Sequence, residues 1–205
     1  MDKFTTLTAT AAPLLTPNID TDVLIRVERM IDRVRGEFGP YCFEAWRYRP
    51  DGRDNPDFVL NHPGYSGVKI LIAGANFGCG SSREPAVWSL WDMGFRCVIA
   101  PSFGDIFFNN CLQNGMLPVI LPAETVDALA HEATPGAAQF TVDLLNQRIR
   151  GPSSLEVAFD IEPSRRQALI DGQDEITASL AREPEIAAFQ ARDRALRPWN
   201  YDIFG

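Results

Sequence analysis

The sequence predicts an α/β domain with a largely parallel central sheet and helices at its C-terminal end. Three observations carry that expectation. Short, apolar, β-branched runs recur at 68–74, 97–100 and 117–121. Each is followed by a stretch with helical spacing, at 86–93, 106–113 and 123–132. The helical stretches are bounded by Gly94, Pro101, Asn114-Gly115 and Pro122, residues that stop or start helices.

The elements follow in order. Phe4-Thr5-Thr6-Leu7-Thr8-Ala9 alternates threonine with apolar residues, which favours a strand, and Pro13 and Pro17 follow it. Asn18-Ile19-Asp20-Thr21-Asp22 opens with turn formers and runs into the short apolar Val23-Leu24-Ile25. Residues 36–65 are rich in Gly, Pro, Asn, Asp and aromatics and read as loop, with a short helix near 40–46. The three strand–helix units occupy the middle of the chain. After Pro135, β-like segments at 139–145 and 155–161 flank Gly151-Pro152 and suggest a hairpin with a long turn. The tail reads as two helices, 164–172 and 175–194. A single domain over 1–205 is expected, with 163–205 as a helical extension packed on it.

Composition narrows the function classes. Lys plus Arg is 19 and Asp plus Glu is 27, a formal net charge of −8, which disfavours nucleic-acid or anionic-membrane partners. No apolar window is long enough to span a bilayer, and Met1-Asp2-Lys3-Phe4 does not open like a signal peptide, so a cytoplasmic protein is expected. Cys42, Cys79, Cys97 and Cys111 contain no C-x-x-C pair, and His62 and His131 are far apart. Neither a zinc site nor an iron–sulfur ligand set is expected on this chain; the thiols read as reduced core residues, with Cys79 set apart by its neighbours.

Those neighbours form Asn76-Phe77-Gly78-Cys79-Gly80-Ser81-Ser82-Arg83-Glu84, between a buried strand and a helix. In parallel α/β sheets ligands bind beyond the carboxyl ends of strands. Glycines allow close backbone approach, a helix start offers free amides and a positive dipole end, and Arg83 can grip a carboxylate through two parallel bonds. The residues alone describe an anion site. Ser81-x-x-Glu84 also fits a capping box, but Pro85 belongs at the first helical position, so the regular helix should start at or just before Pro85 and leave Ser81 and Ser82 in the loop. A Walker loop is missing its Lys, the dinucleotide fingerprint is missing its third Gly, and no triad partner accompanies the serines. Asp20 and Asp22 fit turn or helix-cap roles as well as ligand roles.

The same loop resembles the signature of the small subunits of 3-isopropylmalate dehydratase (isopropylmalate isomerase), in the aconitase superfamily. Asn18-Ile19-Asp20-Thr21-Asp22 is similar to that family's N-terminal motif. Ile99-Ala100-Pro101-Ser102-Phe103-Gly104-Asp105-Ile106-Phe107 with Leu117-Pro118-Val119 is similar to its central block. Asp57-Phe58-Val59-Leu60-Asn61, Phe159-Asp160-Ile161 and Arg165-Arg166 also fit, so the resemblance covers nearly the whole chain. It implies the swivelling β/β/α-type domain corresponding to the fourth domain of aconitase. It implies a hydro-lyase of leucine biosynthesis that isomerises 2- and 3-isopropylmalate by dehydration and rehydration. The chain itself would bind no cofactor or metal; a large partner subunit would carry a [4Fe–4S] cluster, and the substrate would be a small hydroxy-dicarboxylate. Ser81 would be the base, Arg83 the carboxylate clamp and oxyanion support, and Ser82, Gly80, Thr21 and Asp22 substrate-facing groups.

Three positions depart from the family pattern. Pro85 stands where the family usually has His, and Arg26-Val27 where it has Pro-Lys. Arg26, Arg29, Arg33 and Arg35 make the following segment basic. It is either a solvated face or a reader of substrate carboxylate, with Arg26 the candidate. A paralogue acting on another short hydroxy diacid of the citramalate or methylmalate type, or a non-catalytic carboxylate-binding module, remains open at this point.

Overall fold

In the computed structural model, which describes residues 1–80, 83–137 and 139–201, one strand joins two differently built halves of a sheet. That strand, β1 (Thr6–Leu14), pairs antiparallel with β5 (Gln139–Asp143) through Thr6 to Thr10. It then pairs parallel with β2 (Ile70–Ala73) through Ala11 to Leu14. The strand expected around residues 4–9 therefore continues through Pro13. Proline cannot donate to a ladder, and Pro13 lies beyond the last β5 pair, so no β5 carbonyl is left waiting for it.

β3 (Cys97–Ala100) and β4 (Leu117–Ile120) continue the parallel half. β6 (Arg148–Arg150) and β7 (Glu156–Ala158) extend the antiparallel half. The order is β4-β3-β2-β1-β5-β6-β7. The α/β class with a parallel centre is as the sequence predicts. All four residues of β2 and of β3 are buried, as expected for parallel strands covered on both faces. Pro118 sits in the terminal strand β4, where a missing donor is tolerated.

The helices between the parallel strands are α3 (Pro85–Met93), α4 (Asp105–Gln113) and α5 (Ala123–Glu132). Pro85 is the first residue of α3, and Gly94 ends it at φ 113°, donating back to Leu90 and Trp91. Two shorter helices precede them: α1 (Thr21–Leu24) and α2 (Glu44–Arg47). The single helix expected near 40–46 is instead a 3-10 turn, Gly39–Tyr41, followed by α2. The break falls at Phe43, held at φ 55° with its ring fully buried and its amide donating to the Leu24 carbonyl.

The expected hairpin at 139–161 is corrected to a three-stranded meander. The two segments do not pair with each other, because β6 lies between them, with Ile149 facing Val142 on one side and Val157 on the other. Arg148 and Arg150 flank Ile149, so three residues carry too little alternation to announce a strand. Arg150 Nη2 meets Glu156 Oε2 at 2.8 Å across the β6–β7 pair.

The chain divides into two compact units, Met1–Gly172 and Gln173–Gly205. The first includes α6 (Pro163–Asp171), whose amides at Ser164 and Arg165 are capped by the Glu162 carboxylate. The second holds α7 (Glu175–Leu180) and α8 (Glu183–Leu196) in place of one continuous helix. Pro184 explains the interruption, since proline disfavours helical geometry at the preceding residue and clashes with the previous turn. Among the described residues no helix is long and apolar enough to cross a membrane.

The four cysteines are free thiols. Burial pushes the Cys42 thiol up to about 12, and burial raises Cys97 and Cys111 as well. Cys79 alone among them is partly exposed. A thiol-specific reagent at neutral pH is therefore expected to label Cys79 quickly and the other three only after unfolding; labelling followed by peptide mass analysis checks this. Gly78 has φ +71°, and a Cβ there would lie 2.2 Å from the Phe107 ring. Gly78→Ala should destabilise the fold by about 2–4 kcal/mol, from backbone strain plus overpacking, read as a lowered midpoint in urea unfolding.

Candidate functional site

The segments that leave β1, β2 and β3 at their carboxyl ends are stitched together by backbone hydrogen bonds. Gly78 N–H donates to the Ile19 carbonyl at 2.7 Å, and Thr21 N–H donates to the Cys79 carbonyl at 2.9 Å. On the other side Phe77 N–H donates to Ser102 at 3.0 Å and Gly104 N–H to Phe77 at 2.9 Å. The glycine loop thus runs between the segments that follow β1 and β3. Two asparagines turn the chain into this arrangement: Asn18 and Asn76 are both left-handed, at φ 56° and 57°, and their side chains hydrogen-bond to each other at 2.8 Å. Asn tolerates this region better than most residues. Under the loop, the buried Phe77 ring packs edge-on against Phe103 and Phe107.

Gly78 and Gly104 touch because neither has a side chain; a Cβ on Gly104 would stand 2.6 Å from the Gly78 carbonyl oxygen. Gly80 has φ +90° and faces the β1 side, where an added Cβ would lie 3.5 Å from the Asp20 Cβ and 3.8 Å from the Thr21 hydroxyl. The loop backbone and the start of α1 therefore form one corner.

The carboxylates in that corner differ. Asp20 is the N-cap of α1, its Oδ1 accepting from Val23 N–H at 2.8 Å, so the capping alternative holds for this residue. Asp22 sits in the first turn with its side chain 62% exposed, and its Oδ1 is 3.4 Å from Arg83 Nη2. Arg83 Nη1 also approaches the Met30 sulfur at 3.7 Å. Thr21, Asp22, Gly80 and Arg83 are thus brought together. Ser81 and Ser82 lie outside the described residues.

Glu84, rather than Ser81, is the N-cap residue of α3. Its carboxylate accepts from Asn114 Nδ2 at 2.8 Å. The expectation that the regular helix begins at Pro85, after the serines, matches this start.

Arg26 stands elsewhere. It lines a cleft of about 680 Å³ with Tyr41, Glu44, Tyr48 and Arg49, and it approaches Glu28 at 3.6 Å. The other arginines of the basic segment are held by the fold. Arg29 makes a paired contact with Glu44, at 2.9 and 2.6 Å, and this guanidinium holds the Glu44 carboxyl below the usual range. Arg33 lies over the Tyr41 ring at 4.3 Å, and Arg35 lies 5.1 Å from the Trp91 ring centre. For these three the structural alternative holds.

Sequence reasoning missed Met30, Asn114 and the Asn18–Asn76 pair. Only the asparagines carried a signal, as turn formers preceding each motif. Among the described residues, no group of three or more His, Cys, Asp or Glu is arranged to hold a metal ion.

Comparison with known proteins agrees in fold and in length. The family described as Aconitase C-terminal domain matches residues 1–124, and a second, described as LeuD_N, matches residues 127–163. The 3-isopropylmalate dehydratase small subunit of Paramagnetospirillum magneticum is 51% identical over 200 residues, covering 97% of this chain and 100% of that one. That of Xanthobacter autotrophicus is 50% identical with the same coverage. The crystal structure of a 3-isopropylmalate dehydratase from Methanocaldococcus jannaschii superposes with a TM-score of 0.67 at 21% identity, covering 89% of this chain and 98% of that one, a likeness of fold. On a match of this length and identity, the chain belongs to the family of 3-isopropylmalate dehydratase small subunits.

Proposed function

We propose that this chain is the small subunit of a hydro-lyase that interconverts 2-isopropylmalate and 3-isopropylmalate in leucine biosynthesis. The observation that carries the reading is the corner formed by Gly80, Thr21, Asp22 and Arg83 at the carboxyl end of the parallel strands. It offers a guanidinium beside a glycine-shaped loop, a suitable place for one carboxylate of a diacid. Family membership supports the choice of diacid.

The proposed chemistry assigns Ser81 as the base. Its alkoxide takes the carbon-bound proton next to a substrate carboxylate, becoming the neutral hydroxyl; the C–H electron pair forms the new C=C bond, and the hydroxyl on the neighbouring carbon leaves with the C–O pair and is protonated to water by an acid assigned to the large subunit. Readdition of water with the two positions exchanged completes the isomerisation. A serine oxygen is a weak base unless its anion is stabilised, so Arg83 and the loop amides, with Ser82, serve both the oxyanion and the carboxylate on which charge builds. Thr21 and Asp22 would face the substrate, with Asp22 orienting Arg83. Arg26, exposed at the mouth of its cleft, is assigned to a second, distal contact.

This chain does not fit an iron–sulfur cluster. Among the described residues no three thiols, histidines or carboxylates are grouped to hold one. The Lewis acid for hydroxyl departure is therefore assigned to a large subunit, as a [4Fe–4S] cluster. The site is half of a shared one, with a cytoplasmic location and no nucleic-acid or membrane partner in this reading.

Coexpression with a cluster-bearing large subunit tests the proposal. The complex should interconvert the two isopropylmalates, and a complex inactive on every short hydroxy diacid would sink it. In that complex Ser81→Ala should lower kcat by about 10²–10⁴-fold without loss of assembly. Arg83→Lys keeps the charge but loses the fork, and should lower kcat/KM by about 10–100-fold; steady-state kinetics on purified complexes checks both.

A further inference from the structure

Glu84 and Asn114 have no place in the chemistry above, yet their contacts converge on the start of α3. Asn114 ends α4 and is 3% exposed. Its Nδ2 donates to Glu84 Oε1 at 2.8 Å and to the Asn110 carbonyl at 2.9 Å. Its Oδ1 accepts from Trp88 Nε1 at 2.9 Å. One buried amide thus ties the end of α4 to two points one turn apart on α3. An amide head group suits this place, since its NH2 can donate to both the carboxylate and a backbone carbonyl while its oxygen accepts from the indole.

Glu84 follows Arg83 directly. The carbonyls of Arg83 and Glu84 accept from Ala86 and Val87, at 3.2 and 2.9 Å, so the backbone of both residues is tied to the first turn of α3. Pro85 donates no hydrogen bond. The link from Glu84 to Asn114 supplies a side-chain tie at the position where the loop becomes helix.

We propose that Glu84 and Asn114 are positioning residues: a hydrogen-bonded bracket that fixes the first turn of α3, and with it Arg83, for the reaction assigned to this site. The proposal rests on the functional reading above for its kinetic consequence and on the structure alone for its mechanical one. Holding a clamp in register affects the transition state more than substrate capture, because small misplacements are costly at the reacting centre.

The test uses Glu84→Ala and Glu84→Gln, because Glu84 is exposed and its replacement spares the core, whereas Asn114→Ala leaves a buried indole N–H unpaired. The full chain alone is examined first by amide hydrogen exchange. Glu84→Ala should exchange about tenfold faster over residues 86–88, while Glu84→Gln, which keeps the acceptor oxygen, should match wild type. In the complex with the large subunit, Glu84→Ala should lower kcat about tenfold or more with little change in KM, and Glu84→Gln should restore it.

Unchanged exchange and kinetics in Glu84→Ala would overturn the bracket. So would a Gln variant as defective as Ala, which would point to charge at the helix start. A loss of kcat in proportion to a lowered melting temperature would reduce the contact to plain stability and likewise overturn it. An inactive wild-type complex would count against the functional reading, and the exchange experiment would still decide the bracket.

Discussion

Backbone hydrogen bonds hold together the segments that leave β1, β2 and β3, and the site depends on them. The glycine loop donates to one neighbour through Gly78 and to the other through Phe77, and it accepts from both, from Thr21 at Cys79 and from Gly104 at Phe77. Backbone bonds of this kind fix position without reference to side chains. The side-chain requirement appears one layer down: Gly78 must pass over Phe107, and Gly104 must pass beside Gly78. The aromatic cluster under the loop is the floor, and the glycines let the chain lie flat on it.

Much of this organisation is legible in the sequence, for identifiable reasons. The parallel strands read well because burial on both faces leaves short, continuous apolar runs. Helix α3 reads well because Pro85 and Gly94 mark its two ends chemically. β6 does not read, because three residues with Arg on both sides of Ile149 carry no usable period. The split of the tail into α7 and α8 was missed, because the helical pattern over 175–194 masked the effect of Pro184 on the preceding turn. In the site, local residue types pointed to Gly80 and Arg83, and the family resemblance pointed to Thr21 and Asp22. They could not reveal that Met30 borders Arg83, or that Asn114 reaches Glu84 across 30 positions. Contacts between distant segments leave no mark in a local pattern, and the sequence likewise does not show that Arg26 shares a cleft with Tyr41, Glu44, Tyr48 and Arg49.

The chemistry of the chain is lopsided in an informative way. Among the described residues it assembles the Thr21 hydroxyl, the Asp22 carboxylate, Gly80 and the Arg83 guanidinium around one corner. Its thiols are mostly withdrawn into the core, where burial keeps them protonated and weakly nucleophilic. A dehydration needs both a proton acceptor and an electrophile for the leaving hydroxyl. The proposed function gives the first to this chain and the second to its partner subunit.

The division of β1 into two pairing halves has a consequence for how the chain acquires its structure. Its first half waits for β5, more than a hundred residues downstream, while its second half waits for β2. Both closures span long separations in sequence, and such closures are slow because chain entropy must be lost before contacts reward it. The local strand–helix units from β2 to β4 can form earlier. The stitch between Ile19 and Gly78 requires β1 in place, so it belongs to the final stages of folding. A chain in which β1 has not docked lacks the bond from Gly78 to Ile19 that places the loop.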